Sequence, residues 1–342
     1  MKILVLGGTG FIGPHVIRHL QAGGHRVAAI HRGPRATSLP PEVEHIVGDA
    51  RDIAHYRTEI QSFAPDVLID LILSSGNQAE ALMQNVRGVV SRVVAISSMD
   101  VYRAFAVTHG MDPGPLEPLP LTEESRLRTK LHPYSPQILK AMQGIFQWLD
   151  DEYDKIPVEN AVMRDEQVLG TVLRLPMVYG PGDALHRFYP IVKRIADGRQ
   201  RILFSEEMAA WRSPRGYVEN VAAAIALAAV SERAAGRIYN VAEQPAFSEL
   251  EWAKKIADQM NWQGEFVVLP AERTPKHLIL PANTAQHWVA SSERLRRELG
   301  YREPVTLEQA LRRTIAWERV YPPATSMFYQ FDYSAEDAAT AA

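Results

Sequence analysis

Residues 2–13 read KILVLGGTGFIG. The apolar run Ile3–Leu6 ends in glycines, as a buried parallel strand does when it enters a tight turn. The turn carries the pattern Gly-x-Gly-x-x-Gly from Gly8 to Gly13, and helically spaced apolar residues follow as far as Gly23. Glycine lets the chain bend sharply and approach a pyrophosphate without a Cβ, while the helix N-terminus offers amide donors. The segment Gly7–Gly13 therefore predicts the strand–turn–helix of a dinucleotide-binding fold.

Strands and helices alternate on the C-terminal side of this turn. Short apolar runs predict further strands at Arg26–Ile30, Val43–Val47, Asp66–Leu73, Arg92–Ser97 and Val168–Leu175. Helical spacing predicts helices at Ile53–Phe63, Asn77–Val90 and Val158–Met163 between them. This alternation is typical of βαβ units, so we predict an α/β fold with a doubly wound parallel sheet of the Rossmann type.

The length of 342 residues suits two lobes. We predict a dinucleotide-binding domain over 1–175, a smaller, interleaved α/β substrate lobe over 176–330, and a tail over 331–342 that is frayed after Tyr333. The second segment includes a strand at 237–241, and its alanine-rich helix at 218–230 is able to return to the sheet. The proline-rich segment 103–136 is interpreted as a long loop that closes over a site.

Composition excludes several classes of function. A net charge of −3 and a pI near 6.4 argue against a nucleic-acid partner. With no cysteine, the chain has neither disulfides nor thiolate metal sites, and His15 and His19 lack an accompanying carboxylate, so no metal site is predicted. No export signal or membrane-length apolar run is found. We predict a cytoplasmic protein with a small-molecule substrate and no membrane partner, and a homodimer stays open.

The segment after the second strand bears on cofactor choice. Residues 31–35 read HRGPR, where a carboxylate would accept bonds from the ribose of NAD. Arg32 is instead suited to a 2′-phosphate, so NADP is favoured over NAD. After the third strand, Asp49 is positioned either to accept from an adenine amino group or to cap a helix, a capping role that Asp52 fits equally well.

With these segments placed, the chain resembles the extended short-chain dehydrogenase/reductases, the NAD(P)-dependent epimerase/dehydratase family. The resemblance extends from residue 1 to about residue 319. Its motifs are Gly7–Gly13, Gly48–Asp52, Ser97–Tyr102, Arg174–Gly182, Arg215–Val221, Ile238–Val241 and Leu299–Tyr301. It implies an NAD(P)-dependent oxidoreductase, epimerase or dehydratase that transfers hydride with a sugar-nucleotide-like or related carbonyl or alcohol substrate held between the lobes.

The resemblance also implies which residues form the site. The cofactor would be bound by Gly7, Thr9, Gly10, Phe11, Ile12, Gly13, Arg32, Asp49, Ala50, Leu71, Ser97, Lys155, Pro176 and Val178. The family uses a Ser, a Tyr and a Lys: the tyrosine exchanges a proton with the substrate, the lysine lowers the tyrosine's pKa and holds the ribose, and the serine orients the substrate. Ser98 matches the serine.

The family's Tyr-x-x-x-Lys pair is missing at the expected place. Lys155 keeps the Lys-x-x-x-Glu ending, but position 151 is Asp, and the nearest tyrosine, Tyr153, lies about 200° away from Lys155 on a regular helix. We favour Lys155 with Tyr153, provided that a non-helical start of the segment places the tyrosine on the same side as the lysine. Residues 133–152 are then an insertion relative to the family. Tyr134 is an alternative proton donor, whereas the spacing of Tyr189 and Lys193 is attributed to coincidence.

Two rival functions remain. The altered spacing favours a catalytically degenerate dinucleotide-binding sensor or scaffold of the same fold. An RNA-associated relative of the fold is disfavoured by the acidic pI.

Overall fold

The computed structural model of the protein describes residues 1–33, 39–325 and 329–341. Its strands are β1 (Lys2–Leu6), β2 (Arg26–His31), β3 (Glu44–Val47), β4 (Val67–Asp70), β5 (Arg92–Ser98), β6 (Leu169–Leu175), β7 (Met177–Tyr179), β8 (Arg201–Ser205), β9 (Arg215–Tyr217), β10 (Arg237–Asn240) and β11 (Glu265–Leu269). Its α-helices are α1 (Gly13–Ala22), α2 (Arg57–Phe63), α3 (Gly76–Val86), α4 (Arg103–Thr108), α5 (Pro136–Ile145), α6 (Lys155–Met163), α7 (Tyr189–Ala196), α8 (Glu206–Ala210), α9 (Val218–Val230), α10 (Glu249–Gln259), α11 (Glu293–Leu299), α12 (Leu307–Val320) and α13 (Tyr333–Ala341).

A seven-stranded sheet forms the centre of the molecule, in the order β10-β6-β5-β4-β1-β2-β3. Every neighbouring pair is parallel. The six strands from β3 to β6 have the doubly wound order of a dinucleotide-binding sheet, so the predicted fold class is confirmed. Because the strands are parallel, the segments that follow β1, β4 and β5 all emerge at one edge.

Helices cover both faces of the sheet because its strands are apolar on both sides. On one face, Ile3 and Val5 pack in a core with residues of α1 and α9. On the other, Leu4 and Leu6 pack with residues of α3 and α6, including Val158. No helix within the described ranges is long and apolar enough to cross a membrane.

Two elements beyond residue 175 join this central layer. Helix α9 packs beside α1, so it returns to the sheet in the way that the sequence permitted. Strand β10 pairs with β6 in the register Ile238 to Val172, so its assignment to the 176–330 segment is corrected. Tyr239 is fully buried, and pairing with β6 places it in the main core.

The second lobe is assembled from two small parallel strand pairs, β7 with β9 and β8 with β11. Helices α7, α8, α10 and α12 surround them. A cluster of aromatic side chains packs in this lobe: the ring of Trp252 lies 5.6 Å from that of Tyr179 and 5.4 Å from that of Phe188.

The expected loop over 103–136 is partly helical and firmly attached. Helix α4 is buried along its whole length, so it lacks the polar face that would have revealed it in the sequence. Arg103 pairs with Asp112 at 2.7 Å and also with Glu117. The main chain of Leu121 donates to Val289 at 2.7 Å. These contacts attach most of the segment to the rest of the protein.

The expectation of a frayed tail is wrong for residues 333–341, which form α13. Glu336 is fully buried and pairs with Arg194 of α7 at 2.6 Å, and His277 Nε2 lies 3.0 Å from the same carboxylate. A buried carboxylate requires such partners, and these partners come from segments distant in sequence.

Candidate functional site

The glycine turn after β1 has the geometry that a bound pyrophosphate needs. Gly7 has φ of +79°, a conformation that favours glycine, and its carbonyl accepts from the Gly10 amide at 3.0 Å. A Cβ at Gly13 would lie 2.5 Å from the Gly7 oxygen, so that glycine permits the close packing at the start of α1. Pro14 occupies the first turn of α1, where a missing amide is tolerated.

The exposed rim of the turn is open. Gly10 is exposed, and a Cβ there would meet the Gly7 oxygen at 3.3 Å and no other described atom within 4 Å. Thr9, Phe11 and Ile12 are half-buried around it. A cradle that a side chain would fill, at a helix N-terminus, fits the phosphates of a dinucleotide.

Arg32 and Asp49 follow the neighbouring strands β2 and β3. Arg32 is exposed, and its Nη2 lies 3.4 Å from Gln147 Oε1. Residues 34 and 35 of the same segment lie outside the described ranges. Asp49 caps the 3₁₀ turn that begins at Ala50 and pairs with Arg51 at 2.5 Å. The hydrogen bond from Arg51 holds the pKa of Asp49 below its usual range.

Strand β4 ends earlier than predicted, at a buried carboxylate. Asp70 Oδ1 accepts from the amides of Ile72 and Leu73, at 2.8 and 3.0 Å, and these bonds turn the chain out of the sheet. Burial raises the pKa of Asp70 to about 6, although these amide bonds oppose the shift. Leu71, a predicted cofactor residue, is half-buried directly beyond it.

Lys155 is the first residue of α6, directly after the N-cap Asp154. Its Nζ donates to the Leu73 carbonyl and, at 3.1 Å, to the Ile96 carbonyl, so it links the segment after β4 to the last residues of β5. Burial lowers the pKa of Lys155 to about 8, against the opposing effect of the Asp100 carboxylate. The ammonium lies 5.3 Å from the ring centre of Trp148.

Tyr153 lies before the helix cap, so its orientation does not follow helical spacing. Its hydroxyl donates to Asp100 Oδ2 at 2.9 Å, and the Tyr134 hydroxyl donates to the same oxygen at 3.2 Å. The ring of Tyr153 is 5.7 Å from Lys155 Nζ. Both candidate tyrosines thus meet at one carboxylate, which sequence reasoning had not selected.

Burial raises the pKa of both Tyr134 and Tyr153 well above the usual value, and the Asp100 carboxylate raises each further. Burial also raises the pKa of Asp100, against the opposing charge of Arg128. Arg128 itself forms a buried pair with Asp154, at 2.5 Å, and donates to the main-chain oxygen of Asp100 at 2.9 Å.

The two predicted serines have different environments. Ser98 is half-buried, and its Oγ accepts from the Asp100 amide at 3.2 Å. Ser97, a predicted cofactor residue, is buried, and its hydroxyl donates to Glu159 at 2.6 Å. Glu159 in turn pairs with Arg174 at 2.7 Å. The Lys-x-x-x-Glu ending therefore has a structural use as well.

The remaining predicted residues lie further along the chain. Pro176 is half-buried after β6, and Val178 is buried in β7, where its carbonyl accepts from Arg187 at 2.8 Å. Tyr189 and Lys193 lie on α7 in the second lobe, where Lys193 pairs with Asp197 at 2.7 Å.

The site could be found from sequence only in part. Asp100 stands inside the motif Ser97–Tyr102, but an aspartate two residues after a strand is also an ordinary cap. Tyr134 is a candidate proton donor in the sequence, yet nothing in its spacing indicates Asp100 as its partner. Both contacts depend on how the segment 128–154 folds back on the end of β5.

The fold and the glycine turn define a dinucleotide-binding protein of the Rossmann type. A sequence profile of the NAD dependent epimerase/dehydratase family matches residues 3–242. The chain belongs to that family, as its motifs predicted.

Relatives with assigned activities include a reductase and an epimerase. The chain is 25% identical to 2'-dehydrokanamycin reductase of Streptomyces kanamyceticus over 285 residues. The matched region covers 81% of this chain and 72% of the relative. It is 24% identical over 353 residues to a UDP-glucose 4-epimerase of Streptococcus mutans, over 94% of this chain and 98% of the relative.

Solved structures with the same fold include complexes with NAD. The Bordetella bronchiseptica enzyme WbmG, in complex with NAD and UDP, matches with a TM-score of 0.66 at 18% identity, over 93% of this chain and 94% of that one. The dTDP-glucose 4,6-dehydratase of Bacillus anthracis, in complex with NAD, matches with a TM-score of 0.65 at 16% identity, over 94% and 97%.

Proposed function

We propose that this protein is an NAD(P)-dependent enzyme that oxidises or reduces a carbonyl or alcohol carbon of a sugar-nucleotide-like substrate, as an epimerase, dehydratase or reductase. The observation that carries the proposal is a meeting of groups at one sheet edge. The open glycine turn follows β1, while Lys155, Ser98 and the Asp100 cluster lie at the ends of the adjacent strands β4 and β5. A cofactor held at the turn would extend toward those groups.

Residues at this edge would hold the cofactor in sections. Gly7–Gly13 would bind the pyrophosphate, Arg32 and Asp49 the adenosine end, and Lys155 with Leu71 the nicotinamide end. Ala50, Pro176 and Val178 would complete the contacts. When bound, the nicotinamide would accept or supply the hydride. An exposed guanidinium at Arg32 favours the 2′-phosphate of NADP, which we propose as the preferred form over NAD.

The proposed catalytic groups are Ser98, Tyr153 and Lys155. Ser98 would orient the substrate oxygen, and Lys155 would hold the ribose. Tyr153 would stand near the proton that leaves or joins that oxygen. We also propose that the substrate lies between the sheet domain and the lobe of residues 176–330. Aromatic side chains connect the two parts: the Phe105 ring is 5.7 Å from that of Tyr134 and 5.2 Å from that of Trp288 in the lobe.

A second function, a cofactor-binding sensor without turnover, is favoured by one observation. Tyr153 donates its hydroxyl to a carboxylate, and this contact disfavours the phenolate on which the family's proton transfer depends. A cytoplasmic location and a homodimeric assembly stay as predictions.

The test combines binding with turnover. Calorimetric titration with NAD⁺ and NADP⁺ should show binding, and the protein should convert at least one of UDP-glucose, UDP-glucuronic acid and dTDP-glucose. Products are resolved by chromatography, since epimerisation leaves no net reduced cofactor. Tight cofactor binding with no conversion across this panel and a panel of aminoglycoside ketones would favour the sensor. Absence of cofactor binding would refute both functions.

A further inference from the structure

We propose that Asp100, held by Tyr134 and Tyr153, exchanges the proton with the substrate oxygen in place of a tyrosine. The inference rests on the proposed function, because it names the proton-exchanging group of that same site. It begins from an arrangement in which one buried carboxylate receives two tyrosine hydroxyls on the same oxygen, Oδ2, at 2.9 and 3.2 Å.

The other oxygen of this carboxylate has no partner. Asp100 is 5% exposed, and its Oδ1 accepts no hydrogen bond from any residue of the described chain. Buried carboxylate oxygens are normally satisfied, since leaving one without a donor costs free energy. A substrate hydroxyl is the donor that would complete this site. The half-buried Ser98, whose Oγ accepts from the Asp100 amide, lies on the same turn.

The geometry disfavours either tyrosine as the base. A phenolate at Tyr153 would stand 2.9 Å from the Asp100 carboxylate, so the two negative charges would repel. Tyr134 would meet the same repulsion from the same oxygen. Both hydroxyls therefore act as donors that fix the carboxylate, and Asp100 is the group in this cluster that is free to take a proton.

Charged neighbours shift the pKa of the Asp100 carboxyl in opposite directions. Arg128 and Lys155 favour the ionised form of Asp100, as does the hydrogen bond from Tyr153, whereas Asp154 and burial oppose it. The net effect leaves the pKa of Asp100 above its usual value. An upward shift favours acid–base exchange, because such a group works best when its pKa lies near the working pH.

The step balances with one proton and one hydride. In oxidation the substrate O–H bond breaks, the proton forms an Oδ1–H bond on Asp100, and the carbon loses hydride to the nicotinamide dinucleotide. In reduction, Asp100 returns that proton to the carbonyl oxygen. The carboxylate and the carboxylic acid are the two states of the group, and neither tyrosine changes its protonation.

The main variant is Asp100→Asn, which keeps an oxygen for both tyrosine hydroxyls but holds no exchangeable carboxyl proton. With whichever panel substrate the wild type converts, kcat should fall by roughly 10²–10⁴, the usual effect of losing a general acid–base group. Affinity for NAD⁺, measured by calorimetry, should stay within about twofold. The acidic limb of the pH profile for oxidation should disappear.

Tyr134→Phe and Tyr153→Phe are the matched variants. Each removes one donor to the carboxylate, so the acidic limb should move to higher pH while turnover stays well above that of Asp100→Asn. Full activity in Asp100→Asn, or loss of turnover in Tyr153→Phe equal to that of Asp100→Asn, would overturn the proposal.

A second readout needs no turnover. In protein labelled with ¹³C at aspartate carboxyl carbons, NMR titration should show one signal, absent from Asp100→Asn, that titrates above the usual aspartate range. Tyr153→Phe should move that titration higher still. If the Asp100 signal titrates in the usual range, the inference fails even where the enzyme function stands. If the wild type converts no substrate while the signal behaves as expected, the proposed function fails, and the proton exchange that rests on it fails as well.

Discussion

At the scale of single residues, the glycines of the first turn have different structural requirements. Gly13 is enclosed by backbone, with the oxygens of Gly7 and Gly8 each 2.5 Å from the position of a Cβ, whereas Gly10 faces outward. The pattern Gly-x-Gly-x-x-Gly does not reveal this difference. A substitution at Gly13 should therefore affect folding, whereas a substitution at Gly10 should affect ligand binding.

We expect Gly10→Val to abolish cofactor binding and leave folding intact, because its side chain would occupy the space of the pyrophosphate. Gly10→Ala should weaken binding less. Gly13→Ala should instead lower the thermal midpoint, since its Cβ collides with main-chain atoms. Calorimetric titration with NADP⁺ and thermal unfolding check this series. Unchanged cofactor affinity in folded Gly10→Val would remove the turn from the site.

Arg32 offers a test of cofactor choice. If its guanidinium pairs with a 2′-phosphate, Arg32→Ala should weaken NADP⁺ binding by about 1.5–3 kcal/mol, as for a hydrogen bond to a charged group. NAD⁺ binding should hardly change. Arg26→Ala is the control, because Arg26 lies at the opposite end of β2 in an exposed pair with Glu44 at 2.6 Å. Equal losses for both cofactors would mean that Arg32 does not read the phosphate.

At the scale of elements, apolar patterning predicted the sheet, because buried parallel strands are continuous apolar runs. It failed for α4, which is buried all round, and for the relation of Tyr153 to Lys155. That relation assumed a helix through both residues, whereas Asp154 caps α6 between them. The cap turns the chain, and no spacing rule applies across it. Tyr134, which precedes α5 in the chain, contacts the same Asp100 carboxylate as Tyr153, which follows that helix.

Helix α5 has no buried residue. All ten of its residues are exposed or half-buried, and Ile138 is 45% exposed. The segment directly after it lies against predicted cofactor residues, through Gln147 to Arg32 and Trp148 to Lys155. By contrast, ion pairs hold the segment 103–128. The role of a closing lid therefore suits 136–148 better than the 103–136 segment favoured by proline content.

We expect hydrogen exchange of amides in 136–148 to slow when NADP⁺ is added, because a bound cofactor would add contacts beneath this segment. Exchange in 103–128 should change little, and the distant helix α11 should not change. Mass spectrometry of peptides across these three segments measures the effect. Protection confined to 103–128 would restore the original assignment of the lid.

At the scale of the whole molecule, the C-terminal helix joins the second lobe through a buried charge pair. Composition indicated a frayed tail, since α13 is alanine-rich and acidic. What orders it is Arg194, whose side chain is 4% exposed and whose partner, Glu336, is fully buried. The basic residues of α7 resemble a solvated face in the sequence. Lys193 pairs with nearby Asp197, but the carboxylate partner of Arg194 comes from the packing of α13.

Glu336→Gln should lower the free energy of unfolding by about 3–5 kcal/mol at pH 7, because it leaves Arg194 buried without its counter-charge. The control is Glu308→Gln, whose partner Arg312 forms an exposed pair, so its effect should stay within about 0.5 kcal/mol. Urea unfolding measures both, and equal small effects would show that α13 does not stabilise the fold.

The same pair predicts the sign of a pH effect. Burial alone would raise the pKa of Glu336, but the hydrogen bonds from Arg194 outweigh it and hold the pKa below the usual value. The unfolded chain therefore takes up a proton at higher pH than the folded one, so this stabilisation is present at neutral pH and is lost as pH falls through the lowered folded pKa. The difference in unfolding free energy between wild type and Glu336→Gln should accordingly shrink as urea titrations move below about pH 4, near the ordinary glutamate pKa. A difference that grows on acidification would mean that Glu336 is already protonated in the folded protein and that Arg194 is held by other means.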